Sequence, residues 1–414
     1  MSFDVLLISP SFPADNGHFT KALHELAGVR VLGVGDQPRA AMPDDVAAAV
    51  DEYLQVPDLW NEDDTVDRVR DWLHGLGIGP DKVECLWEPG VVLAARMREA
   101  FGVPGLSVAQ AHAFRDKELM KTRLDAAGIR TPHHYSATTS DEAREAAHKV
   151  GFPVIVKPVD GAGSADTYVV RSEDELESAL GAVRHVGRIS VEEFVEGEEF
   201  TYDAILSDGE TLFENVAWYR PKPLVARQNP WISPQAVCLA DIRQPDIAPG
   251  VELGRQVLRA LGLRTGMAHM EWYRSEKNGG EAIFGEVGAR APGGRLSHGM
   301  NWSCDGNVFK LWAEALVHGR SDQSMQKRFN AALVFKRAVG GGTHVSRIEG
   351  LDAIMAEHGD KIPEVDQVQP GERRRARAQV ETGRGRIGAR PKDLNGAHEL
   401  ADRLGNEVKI VADA

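Results

Sequence analysis

Two short apolar runs, 269–273 (HMEWY) and 284–287 (FGEV), each carry one glutamate near their middle, Glu271 and Glu286. Met270 and Trp272 flank the first; Ile283, Phe284 and Val287 surround the second, so both runs read as buried strands. Asn278, Gly279 and Gly280 between them read as a turn. The chain must then fold back as a hairpin, with one glutamate on each strand able to face a common pocket. A buried carboxylate without a partner is costly, and two side by side repel unless a proton or a cation lies between them. Mg²⁺ suits such a place, because it takes one or two carboxylates and completes its shell with water and phosphate oxygens; Mn²⁺ shares that preference for oxygen. Arg290 follows four residues after Glu286 and offers a planar fork of donors to a carboxylate or phosphate. Gly293 and Gly294 then allow backbone to approach a ligand closely. The plain alternative is a hairpin with two surface glutamates and a salt-bridged arginine.

A chain of 414 residues exceeds one small core, so several domains are expected. A net charge of −14 disfavours non-specific binding to nucleic acid. Cys85, Cys238 and Cys304 are too few and too scattered for a disulfide framework, which points to a reducing compartment and a cytoplasmic protein. The first residues, MSFDVLLISPSF, have no basic segment before a short apolar run and read as a first strand; no segment reaches membrane-spanning length.

Up to about residue 110, short apolar runs (3–9, 29–34, 83–87) alternate with helical stretches (18–27, 44–50, 65–76, 91–101), the pattern of a small parallel α/β domain. No GxGxxG follows the first strand, so a dinucleotide site has poor support there. Glu88-Pro-Gly at a strand end could line a cleft or simply turn the chain. Helices are expected at 116–127, at 140–150 with Ser140 as N-cap, at 245–261 and at 305–317. Residues 209–220 read as one strand and 221–234 as a proline-rich loop carrying Lys222, Arg227 and Trp231, suited either to substrate or to a rigid surface. Beyond 330 the pattern is that of a separate small α+β domain, with 373–380 strand-like and its basic run a solvated face.

Residues 152–170 carry a second constellation. Val154, Ile155 and Val156 lead to Lys157 at a strand end, followed by Asp160-Gly-Ala-Gly-Ser164 and a returning strand. Backbone N–H groups of that loop and Ser164 can cover an anion while Lys157 supplies a point charge, although the Walker A spacing is absent. Further on, RISVEEFV is followed by EGEEF; Phe194 and Val195 can form an apolar slot, and Glu199 can accept from a ribose hydroxyl or be an ordinary turn residue.

Taken in order, a lysine-bearing helix, strand-Lys-Pro with a glycine loop, EEFVEGEEF, and two spaced glutamates leading into EVGARAPGG resemble the ATP-grasp superfamily, and within it the carboxylate–amine (L-amino acid) ligases. The resemblance implies an α/β and α+β ATP-grasp fold with a parallel α/β N-terminal domain and a small C-terminal α+β domain. Its implied divisions are a pre-ATP-grasp domain at 1–112, an ATP-grasp domain at 113–320 (a nucleotide-clamping lobe to 197, then a metal and substrate lobe), and a C-terminal domain at 321–414. It implies ATP and Mg²⁺. Lys117 and Lys157 look like the lysines that hold the phosphates, and Gly161, Gly163 and Ser164 belong to the loop over them. Glu192, Glu193 and Val195 match the linker that meets adenine through its backbone, and Glu199 the ribose carboxylate. Glu271 and Glu286 match the metal ligands and Arg290 the arginine that steadies an acylphosphate, with Gly293 beside it. His269 and Arg227 are further substrate candidates, His269 also reading as a satisfied interior histidine. One departure stands out: where many members carry asparagine two residues after the second glutamate, this chain has Gly288.

The activity so implied joins a carboxylate to an amine at the expense of ATP, with small-molecule substrates, no nucleic acid or membrane partner, and a homodimer left open. Two rivals remain: a purine-pathway type of ATP-grasp ligase or carboxylase, and a nucleotide-binding module without catalysis.

Overall fold

The structure, a computed structural model, describes residues 2–159, 166–277, 279–374 and 385–413. The first strand, Phe3–Ile8, pairs in parallel with Val29–Gly35 on one side and Lys82–Glu84 on the other; Glu52–Gln55, whose mixed composition hid it from sequence reading, completes a four-stranded sheet. Its strands therefore all release their loops at one edge. The helix Asn16–His24 docks this layer on the rest of the chain: Phe19 meets Phe309 and Trp312 edge to face, with ring centroids 4.9 and 5.3 Å apart.

A second four-stranded sheet, in the order His134–Ala137, Ile189–Glu193, Val154–Pro158, Tyr168–Val170, is antiparallel throughout. The helix Ser140–Val150 covers it. Its N-cap is Thr139, not Ser140: the Thr139 hydroxyl accepts from the Glu142 N–H, and the Glu142 carboxylate accepts from the N–H groups of Thr138 and Thr139.

The large sheet runs Ala282–Gly288, Gly266–Ser275, Gly197–Ser207, Ala217–Arg220, Gln235–Cys238, Ala331–Phe335, Arg386–Ala389, Val365–Asp366, with Glu210–Asn215 pairing on Gly197–Ser207. Helix Ala248–Leu261 lies hard against it, where a Cβ on Gly250 or Gly254 would come within 2.1 Å of the Trp272 or Tyr202 ring. Trp272 is fully buried, stacked on Phe200 at 4.8 Å, and donates its indole N–H to the Thr201 carbonyl.

Several expectations change. The stretch 209–220 is two strands, broken at Val216. Within 221–234 the chain forms a helix, Pro223–Gln228, because Pro223 begins it with a ring already set for helical φ. Helices Val108–Ala113 and Leu296–Cys304 and the strand Gln235–Cys238 were not expected; the Leu296–Cys304 helix begins behind glycines and its polar residues mask its periodicity. The large sheet takes in strands from beyond residue 320, with Ala331–Phe335, Arg386–Ala389 and Val365–Asp366 extending it directly. Gly161, Gly163 and Ser164, and most of 373–380, lie outside the described residues.

Candidate active site

Strand pleating explains the site. On Gly266–Ser275 the even positions Met270 and Trp272 pack into the core, so His269, Glu271 and Tyr273 face the other way. Antiparallel register sets Asp203, Thr201 and Glu199 beside these three in turn. On the other flank Glu286 lies directly opposite Glu271, as the hairpin reading required. A bulge follows this pair, and Gly285 sits against it: a Cβ there would be 2.8 Å from the Glu271 carbonyl oxygen. These faces line a cavity of about 380 Å³ whose opposite wall comes from the antiparallel lobe.

Carboxylates dominate one end of the cavity. Burial, and then the neighbouring charge of Glu286, push the Glu271 carboxyl above its ordinary range. Glu199 is raised well above its ordinary value, by burial and by Glu271, with Lys222 and Lys157 acting in opposition. Lys117, the first residue of helix Lys117–Ala126, places its Nζ 3.5 Å from Glu286 Oε2. Among the described residues there is no group of three or more His, Cys, Asp or Glu side chains that could hold a metal ion. The pair Glu271 and Glu286, under-compensated and facing open space, still fits a hard divalent cation that keeps waters and phosphate oxygens in the rest of its shell.

At the other end cations meet a carboxylate. Lys157 is the penultimate residue of the strand Val154–Pro158 and its Nζ lies 2.9 Å from Glu192 Oε2. Lys121, one helical turn after Lys117, meets the same carboxylate from the other side. Burial alone would raise Glu192, but the two lysines outweigh it and hold the carboxyl far below its ordinary range. Glu192 is thus an ion-pair post under Lys157, whereas the resemblance implied only a backbone role. The Glu193 side chain is similarly occupied: it accepts from Arg130 and from the His133 N–H. Its own N–H donates to the His133 carbonyl. Phe194 and Val195 line the cavity beside them, with the Lys222 ammonium 5.7 Å from the Phe194 ring centre.

Arg290 is half-buried at the cavity wall. Its Nε donates to Glu88 Oε2 at 3.0 Å and Nη1 to the Ala291 carbonyl; Arg115 holds the other oxygen of Glu88. A Cβ on Gly288 would stand 3.0 Å from Cγ of Arg290, a close contact with that side chain's stem. Gly293 and Gly294 line the cavity, Gly294 with φ of 62°. Arg227 reaches the cavity from the helix Pro223–Gln228, whose Ala226 carbonyl accepts from Arg337.

His269 is an interior histidine held from behind. Its Nδ1 lies 2.6 Å from Asp203 Oδ1, and Asp203 Oδ2 accepts from Thr201 and Asn215. Its Nε2 points along the wall, 3.9 Å from Glu271 Oε1. The half-buried Lys327 donates to Asn215 at 2.6 Å, closing the chain of polar contacts. Sequence reading missed Lys121, Asp203 and the Glu88–Arg290 pair. Two of these left a trace: Lys121 has helical spacing from Lys117, and Asp203 continues the alternation Glu199, Thr201, Asp203.

Residues 150–298 match the family model of the ATP-grasp domain. Over 236 residues the chain is 29% identical to the L-arginine-specific L-amino acid ligase of Bacillus subtilis, covering 54% of this chain and 55% of that one. It is 31% identical over 192 residues to the D-alanine–D-alanine ligase of Xylella fastidiosa, covering 45% and 57%. The chain thus spans little more than half the length of these curated relatives. An L-amino acid ligase from Bacillus licheniformis superposes with a TM-score of 0.77 at 21% identity, over 99% of both chains. N5-carboxyaminoimidazole ribonucleotide synthetase from Thermotoga maritima gives 0.73 at 18%, over all of both. No helix among the described residues is long and apolar enough to cross a membrane. Residues 150–298 are an ATP-grasp domain, and the chain that contains them has the ATP-grasp fold.

Proposed function

We propose that this protein is an ATP-dependent carboxylate–amine ligase that joins an amino acid or related acid to an amine, releasing ADP and phosphate. The observation that carries the reading is the register of Glu271 against Glu286 in a cavity that also holds Lys117, Lys157 and Arg290. Paired carboxylates facing cations across a cavity suit a magnesium nucleotide better than they suit one another. We assign residues up to about 112 to a pre-ATP-grasp layer, 113–320 to the grasp lobes, and the remainder to an appended C-terminal unit.

In this reading Glu271 and Glu286 hold Mg²⁺, with Mn²⁺ as a substitute, and the ion when bound neutralises charge on the phosphate oxygens. Lys117 and Lys157 hold phosphates, Val195 and the backbone at Glu192 and Glu193 border the adenine slot, and Glu199 meets the ribose. Gly161, Gly163 and Ser164 cover the phosphates. A carboxylate oxygen of the acid attacks the γ-phosphorus; the bond to ADP breaks and an acylphosphate forms. The amine then attacks the acyl carbon, phosphate leaves, and the nitrogen gives up a proton. Arg290 steadies the acyl and phosphoryl oxygens, with Gly293 alongside and His269 and Arg227 on the substrate walls. Catalysis rests on positioning and charge stabilisation, with no protein nucleophile.

The test is phosphate release from MgATP across a panel of amino acids and amines. Release stimulated by an acid and an amine together is the expected result. Stimulation only by purine ribotides would replace the reading with the purine-pathway one. ATP binding with no turnover under any pair would leave a nucleotide-binding module.

A further inference from the structure

One wall of the cavity is the large sheet, and its charges are sorted across the strands. The acids that reach the cavity from this sheet stand on three adjacent strands: Glu286 on Ala282–Gly288, Glu271 on Gly266–Ser275 and Glu199 on Gly197–Ser207. The next three strands bring Tyr219, Gln235 and Phe335 to the cavity, and the chain after the last of them runs on to Arg337. Pleating delivers that arginine. Phe335 and Arg337 face the cavity, while Lys336 between them turns away and donates to Ser233 Oγ at 2.9 Å. The strand Ala331–Phe335 lies three places from that of Glu199 and four from that of Glu271, about 14 and 19 Å at ordinary strand spacing.

A second arginine comes to the same end from a different element. Arg227 lines the cavity from the helix Pro223–Gln228, and Arg337 Nη1 donates to the Ala226 carbonyl of that helix at 3.1 Å, so the elements carrying the two guanidinium groups are tied together. Leu296 and Phe335 line the cavity as well, and apolar surroundings strengthen a hydrogen bond between a guanidinium and an anion. This end is also joined to Arg290. A Cβ on Gly294 would stand 3.3 Å from the Phe335 ring, so the Gly293-Gly294 loop that follows Arg290 rests on the strand leading to Arg337. An acyl group at Arg290, with its phosphate toward Glu271 and Glu286, therefore leaves the space toward Arg337 for the second substrate.

We propose that Arg337, assisted by Arg227, is a specificity-determining residue that holds an anionic group of the amine substrate, a carboxylate or a phosphate-type group set apart from the reacting nitrogen. This rests on the ligase reading above. A guanidinium suits the task, because its planar fork meets either oxyanion with two parallel hydrogen bonds. The anion so held fixes the nitrogen at a set distance from the acyl carbon.

The experiment compares L-alanine, its phosphonate analogue and the neutral L-alaninamide as the amine, with one fixed acid and MgATP, in wild type and in Arg337→Gln. Wild type is expected to prefer an anionic amine over L-alaninamide in kcat/KM, and that ratio to fall about tenfold or more in the variant, through KM, as loss of a charge-assisted hydrogen bond requires. Preference for L-alanine identifies a carboxylate, and preference for the phosphonate a phosphate-type group. Arg337→Lys, which keeps the charge without the fork, is expected to retain part of the ratio. No wild-type preference, or equal losses for anionic and neutral amines in Arg337→Gln, overturns the subsite and makes Arg337 a prop for the helix Pro223–Gln228. If Arg337→Gln loses its fold by circular dichroism, Arg227→Gln is expected to lower the same ratio about threefold, and an unchanged ratio there overturns the subsite. Calorimetry of the three amines with MgADP present reads the subsite without turnover. If no pair of substrates is turned over but binding of an anionic amine still weakens in the variant relative to L-alaninamide, the ligase reading fails and the anion subsite stands. Turnover with a ratio indifferent to Arg337 fails the subsite alone.

Discussion

Glu192 and Glu271 line the same cavity from opposite lobes, Glu192 buried and Glu271 half-buried, and their environments differ in sign. Lys121 and Lys157 close on Glu192 and hold its carboxyl far below the ordinary range. Glu271 faces Glu286 and, through the sheet, Glu199, and is pushed up by burial and by that negative neighbourhood. The lysine end is held by ion pairs within the chain. The glutamate end is electrostatically incomplete, and charge arriving from outside would relieve it. Such a site gives up some stability of the protein alone in return for affinity toward a cation.

The comparison breaks first at Glu286. Glu286→Gln removes a charge from the incomplete end, and ligation is expected to vanish at saturating Mg²⁺; near-normal phosphate release would mean that the pair holds no metal. Arg290 comes next. Arg290→Lys keeps the charge but loses the planar fork that reaches Glu88 and the substrate, so turnover should fall on the order of 10²-fold while MgATP affinity by calorimetry stays close to wild type. Both quantities at wild-type levels would reduce Arg290 to a wall residue paired with Glu88.

At the lysine end the effect should appear in stability. Glu192→Gln leaves Lys121 and Lys157 buried without their shared counter-charge, and urea denaturation should show a loss of about 3 kcal/mol or more. A loss below about 1 kcal/mol would mean that the post is dispensable. The smallest effect sharpens the contrast. Glu199 and Glu271 have folded-state values above their unfolded ones, so the stability they contribute is full below the unfolded carboxylate value and is lost as pH rises through the folded values. Glu192, with its value depressed, contributes in the opposite direction: its share is present above the unfolded value and lost on acidification. Without divalent cation, the melting temperature should therefore fall as pH rises above the unfolded carboxylate value, and Mg²⁺ should flatten the slope. Identical slopes with and without Mg²⁺ would contradict the cation assignment.

Much of this was legible in sequence, for local reasons. The hairpin, the strand leading to Lys157 and the alternation of the first hundred residues depend on periodicity and turn residues, which short stretches carry in full. The opposition of Glu271 and Glu286 followed from one glutamate per strand. What stayed hidden was non-local. Nothing near Glu192 announces that Lys121, seventy-one positions earlier, would reach its carboxylate. Nothing near Arg290 announces Glu88, from another layer. The Pro223–Gln228 helix was concealed by prolines, which read as a loop until one is seen to stand at a helix start. Gly288 stands where many members carry asparagine, and a Cβ there would sit close to the Arg290 stem, at 3.0 Å.

The large sheet carries a consequence for how such a protein could be dissected or recombined. The strand Gln235–Cys238 is paired on one side by Ala217–Arg220 and on the other by Ala331–Phe335, and all four of its residues are buried. Cutting the chain after the grasp lobes, as a modular view of enzymes would suggest, strips one flank of that strand and uncovers a row of unsatisfied backbone donors and acceptors beside an apolar face. The shortened protein would recruit a replacement strand from any neighbour able to provide one. Exchange of the C-terminal segment between related proteins is therefore constrained less by the chemistry of the cavity than by the need to deliver a matching strand in the correct register.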